Sequence, residues 1–192
     1  MSKDTSTTTA PRLKTQFKTE IVPSLQSKLE LKNKHQVPEL EKIVINVGLG
    51  RSKDDKAMFE AVRTTLRKIT GQQPVEIIAK KSIASFKIRA GMNTIGMKVT
   101  LRGDKMYEFL DRLTNIVLPR VRDFHGVSEK AFDPQGNYSL GIIEQSVFPE
   151  LGFEDVAKLH GLQVNFTITN SDPVKSRALL EEFGIPFRKE RR

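Results

Sequence analysis

The sequence contains no cysteine and no tryptophan, and its 192 residues include only two tyrosines and three histidines. Without cysteine there is no disulfide, thiol nucleophile or thiolate zinc site, which agrees with a reducing compartment. The histidines, His35, His125 and His160, lie far apart in the chain and give little support for a metal site. No apolar run approaches the roughly 18 residues of a membrane-spanning helix. We therefore expect no metal, no other cofactor and no membrane association.

Basic residues are abundant. The chain has 32 Lys and Arg against 23 Asp and Glu, a formal net charge of +9. Such a balance favours a polyanionic partner, with nucleic acid first and an anionic membrane second. A membrane-surface helix usually sets a bulky apolar face against its basic face, whereas the most basic stretch here has no helical pattern. Composition therefore favours nucleic acid.

The most basic stretch runs from Ala79 to Gly103 and contains no acidic residue. Its cations are Lys80, Lys81, Lys87, Arg89, Lys98 and Arg102. Serines, threonines and glycines separate them, and Phe86 is the one aromatic residue. Lysine and arginine neutralise phosphates, hydroxyls add hydrogen bonds, and a phenylalanine ring can stack on a base. The alternative is an exposed loop that is basic by chance.

Hydrophobic periodicity predicts an α+β fold with a largely antiparallel sheet. The predicted strands are residues 42–47, 75–78, 95–101, 138–143 and 162–169. The predicted helices are residues 15–31, bent or restarted at Pro23, then one from Asp54 or Asp55 to Gly71, one from Asp104 to Pro119, and one from Asp172 to Gly184. Residues 1–14 are predicted to be a disordered arm and residues 188–192 a basic tail, around a single domain at residues 15–187.

Two amphipathic patterns lead to more specific predictions. In the strand at residues 95–101, Met97, Val99 and Leu101 share one face, so Lys98, Thr100 and Arg102 lie on the other. The helix after Asp104 is predicted to bury Met106, Phe109, Leu110, Leu113, Ile116 and Val117. One face of the strand therefore packs against the core, and the other presents cations and a hydroxyl.

Catalytic patterns are incomplete. The segment Asn46–Gly50 follows a strand, but the third glycine of a dinucleotide fingerprint would fall at Lys53. Its glycines are better explained by a tight turn near something bulky. Gly91 and Gly96 have the Walker A glycine spacing, yet Met97 stands where the lysine is required.

Two further clusters have ordinary explanations. The acids Asp104, Glu108 and Asp111 share a helix face and could hold a cation, although a solvated face with a Glu108–Arg112 ion pair is the simpler interpretation. Ser82 and Ser85 lie near Lys81 without an oxyanion hole. We expect a binding protein and not an enzyme, with an enzyme for a phosphoryl ligand as the remaining alternative.

Several blocks resemble, in order, the large-subunit ribosomal protein L-five family, in its bacterial form. The most specific are Lys80–Arg89 and Ile95–Gly103. Others are Asn46–Gly50, Thr70–Pro74, Leu118–Phe124, Phe132–Asp133, Gly136–Ser139, Glu144–Gln145, Phe148–Glu150, Arg177–Leu180 and Pro186–Lys189. Only about the first fifteen residues fall outside the resemblance. One departure is the segment Gly91–Gly96, which lacks a proline common in bacterial relatives and is one residue longer.

The resemblance implies a structural protein that binds 5S rRNA and helps attach it in the central protuberance of the large subunit. It also implies contact with the peptidyl-site tRNA and a bridge to the small-subunit protein S-thirteen. Further implied partners are 23S rRNA and neighbouring central-protuberance proteins, in a cytoplasmic, ribosome-bound location. The family fold is an antiparallel sheet with helices packed on one face. A regulator that binds RNA off the ribosome is an alternative.

The resemblance and the basic stretch together nominate two sets of site residues. The expected 5S rRNA-binding residues are Asn46, Gly48, Gly50, Gln72, Lys81, Ser82, Phe86, Lys98, Thr100 and Arg102. The expected tRNA-side loop consists of Lys87, Arg89, Ala90, Gly91, Met92, Asn93, Thr94 and Ile95. Structural alternatives stay open at this point: Phe86 could anchor the loop in the core, Gln72 could cap a helix end, and Asn46 could bond to neighbouring backbone.

Overall fold

The protein, described by a computed structural model at residues 10–52 and 55–188, has an α+β fold with a five-stranded antiparallel sheet. The strands are β1 (Glu39–Gly48), β2 (Val75–Ile78), β3 (Thr94–Leu101), β4 (Tyr138–Ile142) and β5 (Leu162–Thr169). They lie in the order β2-β3-β1-β5-β4, so the central β1 pairs with both β3 and β5. The predicted fold class is confirmed.

The helices cover one face of this sheet. They are α1 (Arg12–Gln16), α2 (Val22–Lys28), α3 (Lys56–Thr70), α4 (Gly103–Arg112), α5 (Leu118–Arg120) and α6 (Pro173–Glu182). π-helical turns at Phe17–Ile21 and Leu113–Val117 join α1 to α2 and α4 to α5. No helix in the described part of the chain is both long and apolar enough to cross a bilayer.

Each π-helical turn comes just before a proline. Pro23 and Pro119 lie in the first turns of α2 and α5. Proline cannot donate a hydrogen bond to the preceding turn, and the start of a new helical segment requires no such bond. The predicted bend or restart at Pro23 corresponds to this change of helix type, because Ile21 and Val22 keep helical φ and ψ and the chain continues without a break. Helix α1 already begins at Arg12, so Arg12–Lys14 are helical and not part of a disordered arm. Residues 1–9 and 189–192 lie outside the described residues.

The helix ends agree with the predicted capping residues except at α4. The Asp55 side chain accepts a hydrogen bond from the Met58 amide at 3.0 Å, and Gly71 ends α3 with a φ of +64°. The prediction that Asp104 caps α4 is wrong. Asp104 lies within the first turn of α4 and forms an ion pair with Lys14.

Burial alternates along the strands, as expected when one face is covered. The buried strand residues include Ile43, Ile45, Val47, Met97, Val99, Leu101, Val164 and Phe166. The covering helices bring Phe17, Tyr107 and Phe183 together, with ring centroids 5.6–6.3 Å apart. The predicted burial of Ile116, in the π-helical turn after α4, is wrong, because Ile116 is 42% exposed. Tyr107 of α4 is buried instead. Tyr107 is so poorly solvated that burial raises its pKa to about 12.

The connection between β4 and β5 is organised by two buried polar side chains, Gln145 and His160. Gln145 Oε1 accepts the His160 amide at 2.7 Å, and Gln145 Nε2 donates to the Lys158 carbonyl at 2.9 Å. His160 Nδ1 lies 3.2 Å from that same carbonyl, while His160 Nε2 is buried without a hydrogen-bond partner among the described residues. Protonation of Nε2 would bury an unpaired charge, and accordingly burial lowers the His160 pKa.

Acidification is therefore expected to destabilise the fold through His160. Its folded-state pKa lies below the unfolded value of about 6.5, so the unfolded state binds more protons below that pH and stability falls as pH falls. Urea unfolding at pH 7.5 and 5.5 should show a loss of up to about 1.4 kcal/mol from this group. The loss should be smaller in His160→Gln. An equal pH dependence in the two proteins would contradict this role.

Gly96 permits close contact between β3 and β1. A Cβ at Gly96 would lie 2.6 Å from the Val47 carbonyl oxygen, whereas a Cβ at its cross-strand partner Gly48 would meet nothing within 4 Å. Gly96→Ala should therefore destabilise the protein by about 1–3 kcal/mol in urea unfolding, because backbone must move. Gly48→Ala is the matched control and should change stability little. Equal effects of the two substitutions would show that the close contact at Gly96 does not cause the loss of stability.

Candidate nucleic-acid interface

The face of the sheet opposite the helices is polar and uncovered, and we call it the open face. It is formed by Lys42, Asn46, Lys98, Thr100, Gln163 and Asn165. Asn46 on β1 lies between Lys98 of β3 and Gln163 of β5, and the next row places Asn165 across Val44 from Thr100. Lys98, Thr100 and Gln163 are exposed. Amide, hydroxyl and ammonium groups are therefore presented together on one surface.

The cations of the open face differ in their pairing. Lys98 forms no ion pair with any residue that the structure describes. Arg102, just after β3, lies on the same side of the sheet and binds Glu41 at 2.9 Å. The Arg102 guanidinium, and to a smaller extent Lys42, lower the Glu41 pKa. Because both partners are exposed, this ion pair is weak and an incoming phosphate can compete with Glu41 for Arg102.

Gly48 is the last residue of β1, and Gly50 begins the turn that follows it. Neither has a positive φ, and a Cβ at either position would meet nothing within 4 Å. The expected tight turn is present, because the Ser52 amide donates to the Leu49 carbonyl at 2.9 Å, but no described residue comes close enough to require glycine there. A glycine without such a requirement leaves backbone accessible to another molecule.

Gln72 lies in the turn between α3 and β2. Its amide donates to Thr70 Oγ1 at 3.2 Å, and Val75, three residues later, lies opposite Lys98. Its side-chain Oε1 is buried and has no hydrogen-bond partner among the described residues. The backbone of Gln72 thus helps to finish the helix, as the structural alternative proposed, while its side-chain oxygen is a buried acceptor without a described partner.

The connection between β2 and β3, residues 79–93, is a long hairpin that we call the β2–β3 loop. Ile83 and Ile88 exchange backbone hydrogen bonds of 3.0 and 3.1 Å around a turn in which Lys87 has a φ of +51°. At the base, Ala79 donates to the Asn93 carbonyl and accepts from Gly91, both at 2.9 Å. Backbone hydrogen bonds within the loop therefore hold its conformation.

Side chains support the β2–β3 loop from inside. Asn93 Oδ1 accepts the Arg89 amide at 2.7 Å, and Ser82 Oγ accepts the Ala90 amide at 2.9 Å. Lys80, Lys81 and Arg89 are exposed and form no ion pair with described residues. Four cationic side chains, including Lys87, thus extend from a scaffold that hydrogen bonds already hold.

Several predicted site residues lie on a different surface from the one that the sequence analysis expected. Lys81, Ser82 and Phe86 lie on the β2–β3 loop and not on the open face, whereas Thr94 and Ile95 belong to β3 and not to the loop. Phe86 is 65% exposed, so it does not anchor the loop in the core. Met92, near the base of the loop between Gly91 and Asn93, is 74% exposed.

Several residues of the open face were missed. Gln163 and Asn165 of β5 complete its rows, and Ser139 of β4 donates to Asn165 Oδ1 at 2.9 Å. The sequence does contain a pattern that indicates them, because β5 alternates strictly between apolar and polar residues and its polar residues must share one face. What the chain could not reveal was that β5 lies directly beside β1, which brings these polar groups to Asn46.

The acidic cluster on α4 does not form a cation site. Asp104 and Asp111 pair with Lys14 and Arg12, which α1 brings against α4. Arg112 pairs with Glu150, so the predicted Glu108–Arg112 pairing is wrong. Within residues 10–52 and 55–188, no group of three metal-ligating side chains is assembled.

Comparison with known proteins identifies two adjoining family matches. The family described as "Ribosomal protein L5" matches residues 33–89, and the C-terminal region of the same ribosomal family matches residues 94–187. "Large ribosomal subunit protein uL5" of Alkaliphilus oremlandii is 53% identical over 178 residues, 93% of this chain and 99% of the relative. The proteins of the same name from Carboxydothermus hydrogenoformans and Acidobacterium capsulatum are 50% and 52% identical, each over 98% of its own length and 92% and 93% of this chain. Residues 90–93, between the two matches, belong to the β2–β3 loop.

The hydrogen bond from Arg89 to Asn93 should hold the β2–β3 loop in shape. Asn93→Ala removes the Oδ1 acceptor, so amide exchange in residues 83–91 should accelerate about 2- to 10-fold, while β1 and β5 are unaffected. Hydrogen exchange measured by NMR tests this. Met92→Ala, which removes an exposed neighbouring side chain, is the control and should leave exchange unchanged. The same acceleration in both variants would contradict the assigned role of Asn93.

Proposed function

The chain belongs to the ribosomal protein L5 family, whose matched relatives are large ribosomal subunit proteins, and we propose that it binds 5S rRNA through its open face. The observation that carries the proposal is the position of Asn46, Lys98 and Thr100 in two adjacent rows of the sheet, which places hydrogen-bonding groups and a cation without a described ion pair on one uncovered surface. The family is structural, and we propose no catalysis and no bound cofactor.

The chemistry of the open face suits folded RNA. Double-helical RNA presents phosphates and 2′-hydroxyls across a wide, shallow minor groove, where the exposed side chains of a sheet face can reach them. Lys98 and Arg102 would neutralise phosphates, while Asn46, Thr100 and Gln163 would exchange hydrogen bonds with hydroxyls and base edges. Charge attraction and hydrogen-bonded recognition thus come from different side chains of the open face, so substitutions can separate them.

Two neighbouring features support the same partner. A Cβ at Gly48 or Gly50 would meet no described atom within 4 Å, so a phosphate backbone could approach these glycines from the side on which a side chain would stand. Gln72 lies near the start of β2, and because its side-chain oxygen is buried without a described partner, contact with RNA would require a change of its rotamer. On the β2–β3 loop, Phe86 offers an exposed ring for base stacking, with Lys81 and Ser82 in the same loop.

We further propose that the β2–β3 loop contacts the peptidyl-site tRNA. Its exposed cations Lys87 and Arg89 would meet phosphates, and Met92 and Asn93 would lie at the contact, together with Ala90 and Gly91. Contacts with 23S rRNA, with other proteins of the central protuberance and with the small-subunit protein S-thirteen follow as proposals from family membership alone. No described residue is assigned to these contacts.

A filter-binding competition tests 5S rRNA recognition. Labelled 5S rRNA bound by the purified protein should withstand excess tRNA and an unrelated structured RNA, because hydrogen bonds from the open face add to charge attraction. Affinity should fall steeply with salt. If all three RNAs compete equally, the basic residues supply charge attraction only, and 5S recognition is refuted.

Substitutions assign the binding to the open face. Lys98→Ala should weaken 5S binding about 3- to 10-fold and reduce the salt slope by about one, since one phosphate contact is lost. Thr100→Ala should weaken binding without changing the slope. Lys105→Ala removes an exposed lysine from α4, on the helix side, and is the matched control. Equal losses for Lys98→Ala and Lys105→Ala, with urea midpoints unchanged, would contradict the proposed surface.

A further inference from the structure

A groove runs along the outer edge of β4, at the opposite side of the sheet from the β2–β3 loop. Every residue from Tyr138 to Glu144 lines it, and residues 118–128 and 144–147 form its other walls. The cavity measures about 630 Å³. Its apolar lining includes Leu118, Val121, Phe124, Val127, Ile142 and Val147. Nothing in the proposed RNA contacts uses this groove.

The edge of β4 is open to another strand. Among described residues, β4 pairs with β5 alone, apart from one bridge between Tyr138 and Phe132. Because the ladder is antiparallel, alternate residues of β4 direct their N–H and C=O groups away from β5, toward the free edge. Beyond Tyr138, these backbone groups can therefore pair with an incoming chain.

The two edges of the sheet differ in how they are protected. Natural edge strands are usually blunted by proline, lysine, a bulge or short length. The β2 edge has four residues and a register shift at Ile77/Ile78, with Pro74 before it and Lys80 shortly after. Strand β4 itself has no proline, charge or bulge; Ile143, which follows it, is 88% exposed, and the first charged residue after it is Glu144. Of the two edges of the described sheet, only that of β4 remains suitable for strand addition.

Charge defines the partner further. Arg120 and Arg122 line the groove, are exposed, and form no ion pair with any described residue. Arg188 adds a cation beside the groove wall, because its amide donates to the Val127 carbonyl at 3.0 Å. The one carboxylate in the described lining, Glu144, accepts a hydrogen bond from Ser146. The groove therefore favours an anionic occupant.

We propose that this groove binds an extended acidic segment of a protein partner, which adds to β4 as a sixth strand. Its backbone pairs with the free edge, alternate apolar side chains enter the groove, and carboxylates face Arg120 and Arg122. Four or five residues of the segment match the five residues of β4. A nucleic acid could use the arginines but neither the strand edge nor the apolar lining, so the peptide accounts for more of the observations.

A tethered peptide gives a sensitive test. The segment Glu-Val-Asp-Val-Thr-Val-Glu is appended after Arg192 through a flexible Gly/Ser linker of about 20 residues, which spans about 25 Å. Since Arg188 lies against the groove wall, tethering gives millimolar effective concentrations and detects weak binding. Outward-facing amides of residues 139–143 should exchange at least about ten times more slowly than in a fusion with the linker alone. The β2 amides serve as the internal control and should not change.

Matched fusions and variants identify the mode of binding. A peptide with prolines at alternate positions cannot complete the ladder and should give no protection, and a peptide with lysines in place of its acids should give less. Arg120→Glu with Arg122→Glu should reduce protection, whereas Lys130→Glu, at an exposed lysine outside the groove, should not. Urea midpoints check that each variant is folded.

Three results would overturn the proposal. The first is equal exchange in the peptide and linker fusions. The second is equal protection by the proline-containing peptide, which would exclude strand pairing. The third is a loss of 5S rRNA affinity in the Arg120/Arg122 variant without any peptide protection, which would assign the groove to RNA. None of these results bears on the open face, whose test uses Lys98 and Thr100.

Discussion

Because successive side chains of a strand point to opposite faces, the helices can bury only one side of β1, β3 and β5. Ile45 and Val99 go into the core, and this fixes Asn46 and Lys98 on the other side, next to one another in the ladder. The core and the candidate RNA surface are thus two consequences of a single register. A slip of one residue would bury Lys98 and expose Val99, so apolar packing on one face keeps the polar face in order.

Much of this arrangement was predictable from local patterns. Alternation at Met97–Leu101 assigned Lys98 and Thr100 to the polar face, the motif Asp172-Pro173 placed the start of α6, and Gly71 placed the end of α3. Such patterns predict structure correctly because the residues that fix a strand face or a helix end lie within a few positions of it. The family resemblance was equally local, since it depended on short blocks in order.

Predictions failed where the cause was distant in sequence. Asp104 has the features of a capping residue, yet Lys14, ninety residues earlier, pairs with it. Arg112 had a suitable partner one turn away and instead binds Glu150. The exposure of Phe86 depends on how the β2–β3 loop closes on Ala79 and Asn93. In each case, tertiary packing determines which contact forms, and the neighbouring sequence does not show which of several possible contacts that is.

The way the β2–β3 loop is built has a consequence for association. A disordered basic segment must give up conformational entropy when it meets RNA, at about 1–2 kcal/mol per residue fixed. The bonds between Ile83 and Ile88, and from Arg89 to Asn93, have already fixed much of this loop during folding. The cost of ordering is therefore met by the fold and not by the encounter, so a polyanion that met this loop would lose less of its binding free energy to conformational entropy.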